Sequence, residues 1–383
     1  MDTQRLFARL FYAWIFLLTL CQPGLAQNAP ELPLRVRETI PLSGVELGSI
    51  LHPIRCDLKG NLYVRFTSPA GPHLAAPVTK VLADGKVGSV VRVEGAPGFE
   101  KGGSFEDFAV DARENVYLVT TKVIEKEGQK EPETEQVILV YNSDGKYDSA
   151  IRLGPLFIPL QIAAFPTGEL LASGLKVARK EGMLEPTGEA FTAVFDRKGA
   201  LIAEVSLPGD IQLEQEGGEG ALANPEGQAS AKMDVGSNSR STDGRAKLSK
   251  VDFQSIMSLG VAVPASDGNI YLMRATHDPI IYVVSRDGTL VRRLEIAAPS
   301  EHSRPVAIQV AGGKLALMFA ETDAGGKFVR HVFVVANAET GELLARYIGT
   351  PETGGAMACY TPDGFTFFAS KAGTFVLQRT YPY

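Results

Sequence analysis

A β-propeller of six four-stranded antiparallel blades, closed by an N-terminal strand, is the fold this sequence predicts. Three observations lead there. A strand–turn–strand pattern recurs six times, a second hairpin follows each of the first five copies, and the strand missing from the sixth stands ahead of the first. Short strands and tight turns at a fixed period are the signature of radially repeated sheets.

The chain of 383 residues opens with what reads as a signal peptide over residues 1–26. Arg5 and Arg9 precede the apolar run Leu10–Leu20, Pro23 breaks it, and Gly24-Leu25-Ala26 supplies a small-x-small cleavage site. The run is short for a bilayer span, and no later segment is long and apolar enough, so an exported protein, periplasmic or secreted, is expected. A retained membrane anchor and a lipid anchor on Cys21 are the alternatives. Leu18-Thr19-Leu20-Cys21 resembles a lipobox, with Leu20 where a small residue is usual. Residues 27–383 then form the propeller domain.

The repeat reads Gly60-Asn61-Leu62-Tyr63-Val64, then Glu114-Asn115-Val116-Tyr117-Leu118 and Gly168-Glu169-Leu170-Leu171-Ala172. It continues as Gly268-Asn269-Ile270-Tyr271-Leu272, Gly313-Lys314-Leu315-Ala316-Leu317 and Gly364-Phe365-Thr366-Phe367-Phe368. Each copy follows a short apolar stretch, which makes it the second strand of a hairpin. The second hairpins turn at Asp84-Gly85, Asp144-Gly145, Lys198-Gly199, Asp287-Gly288 and Thr340-Gly341. Helical periodicity is absent from residues 27–383, and 39 glycines with 23 prolines suit so many turns.

After the sixth hairpin only residues 374–383 remain, enough for one strand. The outer strand of that blade is expected from Leu34–Ile40, paired with Thr374–Thr380, because this closure removes a free sheet edge. Cys56 and Cys359 then fall on inner strands of blades one and six, neighbours in a closed ring, where a bridge is open to them. Between blades three and four lies an insertion at 208–250, rich in Gly, Ser, Asn, Glu and Ala. Its composition predicts a flexible segment unable to bury a core.

The signatures Asp57-Leu58-Lys59-Gly60-Asn61-Leu62-Tyr63-Val64 and Asp267-Gly268-Asn269-Ile270-Tyr271-Leu272 resemble those of NHL-type, TolB-like six-bladed propellers. Gluconolactonase-like and virginiamycin-B-lyase-type propellers share such blades. The resemblance implies the fold. Its members include binders, scaffolds, hydrolases and lyases, so it does not imply one activity.

Within a blade, turns from first to second and from third to fourth strand share one face. Here they are tight glycine turns. Loops from second to third strand, and between blades, share the other face and carry the length: Ser68–Pro77, Val123–Glu135, Lys176–Ala190 and Thr322–Val329. The five histidines map to that face: His52 and His302 between blades, His73 and His277 in second-to-third loops, His331 at the start of a third strand. No H-x-H or H-E-x-x-H spacing accompanies them.

The candidate ligand-binding residues are therefore His52, Arg55, Glu106, Asp107, Gln161, His277, His302 and Arg304, a mixed hydrogen-bonding rim where the inner strands begin. Net charge of −6 gives no case for nucleic acid. The reading is a monomeric binding module for a protein, peptide or carbohydrate. The alternative is a metal-assisted hydrolase or lyase using Glu106 or Asp107 with a channel histidine, and only that alternative calls for a channel Ca²⁺ or Zn²⁺. The carboxylate-and-Asn cluster of gluconolactonase-like enzymes finds no match, since no Asn accompanies Glu106 and Asp107 in blades four to six. Neither does the His-and-Glu pair of the lyases. No catalytic residue and no metal ligand is assigned.

Overall fold

The computed structural model describes residues 30–44, 49–67, 76–100, 103, 105–124, 133–153, 157–180, 183–207, 262–351, 353, 355–371 and 374–381. The expected signal peptide, Cys21, His73 and the 208–250 insertion lie outside them. Among the described residues no helix is long and apolar enough to cross a membrane.

Among the described residues twenty-five strands, β1–β25, make six sheets. Blade one is β3 (Ile50–Cys56), β4 (Leu62–Phe66), β5 (Val78–Val81) and β6 (Val87–Val91). Blade two is β7 (Phe105–Val110), β8 (Val116–Ile124), β9 (Glu133–Tyr141) and β10 (Tyr147–Arg152). Blade three is β11 (Phe157–Ala164), β12 (Leu170–Lys180), β13 (Met183–Phe195) and β14 (Leu201–Glu204). Blade four is β15 (Ala262–Pro264), β16 (Ile270–Arg274), β17 (Ile280–Val284) and β18 (Leu290–Glu295). Blade five is β19 (Ser303–Ala311), β20 (Lys314–Thr322), β21 (Phe328–Asn337) and β22 (Leu343–Ile348). Blade six is β23 (Ala356–Thr361), β24 (Gly364–Lys371), β25 (Thr374–Tyr381) and β2 (Arg35–Pro41).

The ring is closed. Inner strand β3 packs beside β7, β7 beside β11, and so on through β15, β19 and β23 back to β3. Six apolar clusters fill the six seams, one between each pair of neighbouring blades. Each sheet buries both faces against its neighbours, so its central strands are largely apolar; β16 and β17 are buried at every position, Arg274 included.

The N-terminal strand closes blade six as expected, with Arg35 opposite Tyr381 through Pro41 opposite Val376. One feature exceeds the expectation. The preceding β1 (Glu31–Pro33) pairs parallel with β22 of blade five. Between the two strands Leu34 is buried, and its N–H donates to Ile348 O at 3.0 Å. One short segment therefore staples two blades. Cys56 and Cys359 form a disulfide across the β3–β23 seam, Cα to Cα 5.5 Å.

Strand pairing extends into three of the expected loops. The hairpin β12–β13 covers most of Lys176–Ala190, β8–β9 enters Val123–Glu135 from both ends, and β20–β21 leaves only residues 323–327 unpaired in Thr322–Val329. The sequence of these stretches lacks the regular apolar alternation that marks a strand.

The turn chemistry repeats. Asp57 Oδ1 accepts from the backbone N–H groups of Lys59 and Asn61, while its Oδ2 accepts from Asn61 Nδ2 and the Tyr63 hydroxyl. Asp111 does the same with Arg113, Asn115 and Tyr117, and Asp267 with Asn269 and Tyr271. The recurring tyrosine thus ties each turn to its own blade. The left-handed residue closing each turn is glycine, as at Gly60 (φ 77°) and Gly268 (φ 86°), except at Glu114 (φ 66°).

Candidate functional site

The six inner strands surround a channel. In five of them the register with the second strand shifts at the same height: Leu51/Arg55, Phe105/Phe108, Pro159/Gln161, Pro305/Ala307 and Met357/Cys359. In the sixth, β15, the described pairing begins only at Ala262. Bulges re-aim side chains and are where a strand accommodates proline, as at Pro53, Pro159 and Pro305. Here they gather side chains from different blades into a mouth of about 340 Å³ on the face of the long hairpins, called the upper face below.

His52, Glu106 and Gln161 line this mouth, beside Val306, Ala307 and Met357. Glu106 is exposed and Gln161 half-buried. The Gln161 Oε1 atom has no hydrogen-bond partner among the described residues. His52 keeps solvent contact, but the walls of the mouth desolvate its imidazole and hold its pKa below the ordinary value. It sits within β3, not in the connection before it as the sequence reading had it.

Arg55 and Asp107 form the floor. Both are buried. Arg55 Nε donates to Phe108 O (3.1 Å), Nη1 to Ala262 O (2.7 Å) and Nη2 to Ile162 O (3.4 Å) and to both Asp107 oxygens (3.3 Å). Asp107 Oδ2 also accepts from Ile162 N–H at 2.9 Å. One side chain from blade one thereby reaches blades two, three and four and divides the channel at mid-height. The Asp107 carboxylate is committed to this network, which leaves Glu106 as the solvent-facing carboxylate of the pair.

The other three expected residues stand apart from the mouth. Arg304 is exposed in β19. His302, in the connection before β19, pairs with Glu301 at 3.3 Å, and His277, in the loop between β16 and β17, pairs with Asp278 at 3.3 Å. His331, in β21, packs against Phe328 with ring centroids 4.7 Å apart and planes tilted by 56°, and burial lowers its pKa. Among the described residues no three His, Cys, Asp or Glu side chains are grouped as metal ligands would be.

Sequence reasoning missed a second space. Below Arg55 the channel widens into a chamber of about 600 Å³ opening among the tight turns. The signal lay in the inner strands, whose lower ends are small: Ala109, Ala163, Ala164, Ala262 and Ala311 all reach it. In the sequence such alanines read as ordinary core.

No protein-family model matches the chain, and no curated protein matches it. Solved structures similar to it include virginiamycin B lyase from Staphylococcus aureus, at 11% identity over 91% of this chain and 100% of that one, TM-score 0.41. The Pan2 WD40 domain of Neurospora crassa is 9% identical over 92% of this chain and 99% of that one, TM-score 0.39. YCF48 bound to D1 peptide is 10% identical over 93% and 98%, TM-score 0.42.

Proposed function

We propose that the chain is an exported, monomeric binding propeller that takes a protein, peptide or carbohydrate ligand at its upper mouth. The observation that carries this reading is the bulge ring. Inner strands of separate blades break register at one height, and His52, Glu106 and Gln161 meet in a single polar opening above a rigid floor. Binding groups concentrate where a stiff scaffold presents variable side chains. The long hairpins β8–β9, β12–β13 and β20–β21 add surface on the same face. Export is supported by the Arg-flanked apolar leader and by the Cys56–Cys359 bridge, since disulfides persist in oxidising compartments. The turns Asp57–Tyr63 and Asp267–Tyr271 support an NHL-like lineage.

The test uses a random-peptide display library and a glycan array as probes. Binders selected on the natural protein are re-assayed on His52→Ala/Glu106→Ala/Gln161→Ala and on a variant altered on the opposite face, Lys86→Ala/Lys146→Ala/Thr289→Ala. The reading expects loss of tenfold or more only in the first. Loss only in the second, with both variants folded, would sink it.

A further inference from the structure

The chamber below Arg55 has the features of a ligand site of its own. Its volume, about 600 Å³, lies within the roughly 300–1,000 Å³ typical of small-molecule pockets. Ala109, Ala163, Ala164, Ala262 and Val310 give it a smooth apolar wall. Two polar side chains interrupt that wall. Gln309 is 9% exposed and Tyr360 6%, and both line the chamber. No hydrogen bond to a described residue engages the Gln309 amide or the Tyr360 hydroxyl, and neither is sealed from solvent, so both are free to pair with a ligand in the chamber. Burial pushes the Tyr360 hydroxyl up to about 12, so it remains a neutral donor and acceptor at physiological pH.

The entrance is acidic. Asp57, Asp111, Glu114 and Asp363 line it, with Asp107 at the roof, against Arg55, Lys59 and Lys80. Five carboxylates against three cations leave a negative field, which concentrates cations and repels anions. Glu114 adds a second pointer. It takes the left-handed conformation that glycine occupies at the same point of the other turns, and its carboxylate pairs with Lys59 and Lys80 at the rim. Non-glycine residues held in that conformation cluster at functional sites. Beside it Leu58, 72% exposed, is the most exposed of the large apolar side chains described.

We propose that this chamber is a second binding site, for a small amphipathic amine. Its apolar body lies against the alanine wall, its hydrogen-bonding group meets Gln309 and Tyr360, and its ammonium group stays at the carboxylate rim. The inference goes beyond the upper-mouth reading and does not depend on it: Arg55 stands between the two spaces, and although Gln309 borders both, Tyr360 and Ala112 border the chamber alone.

Calorimetric titration of the full chain tests it, with tryptamine, phenethylamine and hexylamine as probes and indole-3-acetate, phenylacetate and hexanoate as their charge-reversed partners. At least one amine is expected to bind saturably, tenfold or more tighter than its carboxylate. Gln309→Leu and Tyr360→Phe should each weaken that amine several-fold. Ala112→Trp, placed at an exposed rim position, should abolish binding while the circular dichroism spectrum and Tm stay unchanged. If Ala112→Trp misfolds, Pro362→Trp on the opposite rim replaces it. Absence of saturable binding by every amine, equal affinity for the carboxylates, or binding that survives the folded rim variant would overturn the proposal.

Discussion

Replacing Arg55 with methionine probes the centre of the ring. The guanidinium makes hydrogen bonds to Phe108 O, Ala262 O, Ile162 O and Asp107, and the two charged side chains are only 8% and 5% exposed. Methionine keeps most of the volume but strands the Asp107 charge in the protein interior. Breaking one side of a buried pair costs about 3–5 kcal/mol. Asp107→Asn should cost a comparable amount, since it strands the arginine, although its side-chain oxygen can still accept from Ile162 N–H. The double variant Arg55→Met/Asp107→Asn leaves no isolated charge, so its loss should fall short of the sum by about 1–3 kcal/mol, the coupling expected of residues in one network. The assay is urea denaturation followed by far-ultraviolet circular dichroism, because the single tryptophan, Trp14, falls within the proposed leader. With an unfolding entropy of about 2.1 cal/mol/K per residue, a loss of 4 kcal/mol lowers Tm by roughly 5 °C. Single variants that each lose under about 1 kcal/mol, or a double variant that is strictly additive, would refute the role of this pair as the channel's cross-brace.

Removing the bridge by Cys56→Ser/Cys359→Ser should cost about 2–5 kcal/mol, and reductant should destabilise the natural protein by the same amount without affecting the variant; an unchanged urea midpoint would contradict the bridge. A chain starting at Leu47 lacks both β1 and β2, exposing the edges of β25 and β22, and should aggregate in size-exclusion chromatography with light scattering. Stability should also fall on mild acidification. His331 is held below its usual pKa of 6.5 by burial, so the folded state binds fewer protons than the unfolded one just below that pH. Its contribution is complete above about pH 6.5 and is lost as pH falls, by at most about 1.4 kcal/mol per pH unit. His331→Phe, which keeps the ring contact with Phe328, should flatten the dependence of Tm between pH 6.5 and 5; an unaltered slope would exclude His331 as a source. Glu114 and Glu321, held below the usual carboxylate value by their cation partners, act only below pH 4.5.

Much of the ring was legible because its instructions are local. The Asp…Gly-Asn-x-Tyr turns carry their own hydrogen bonds within seven residues, so each can be read without its neighbours. Closure was legible from bookkeeping of strands, since a blade one strand short and an unpaired strand at the other end complete each other. The bulges were not, because a register shift depends on which residue of the partner strand lies opposite, and only their prolines leave a mark in the sequence. Nor was the engagement of Arg55. A lone basic residue on an inner strand looks the same whether it faces solvent or reaches across to three other blades. The lower chamber stayed hidden for a related reason. Alanines pack a seam or line a void with equal ease, and the difference lies in what stands across the channel.

Binding at the upper mouth is the proposal that a crystal structure of the protein with the tightest binder from the display or array selection can decide. The binder is expected in contact with His52, Glu106 and Gln161, above an undisturbed Arg55–Asp107 floor. A binder seated only on the outer strands or on the tight-turn face, with the mouth left free, would contradict it.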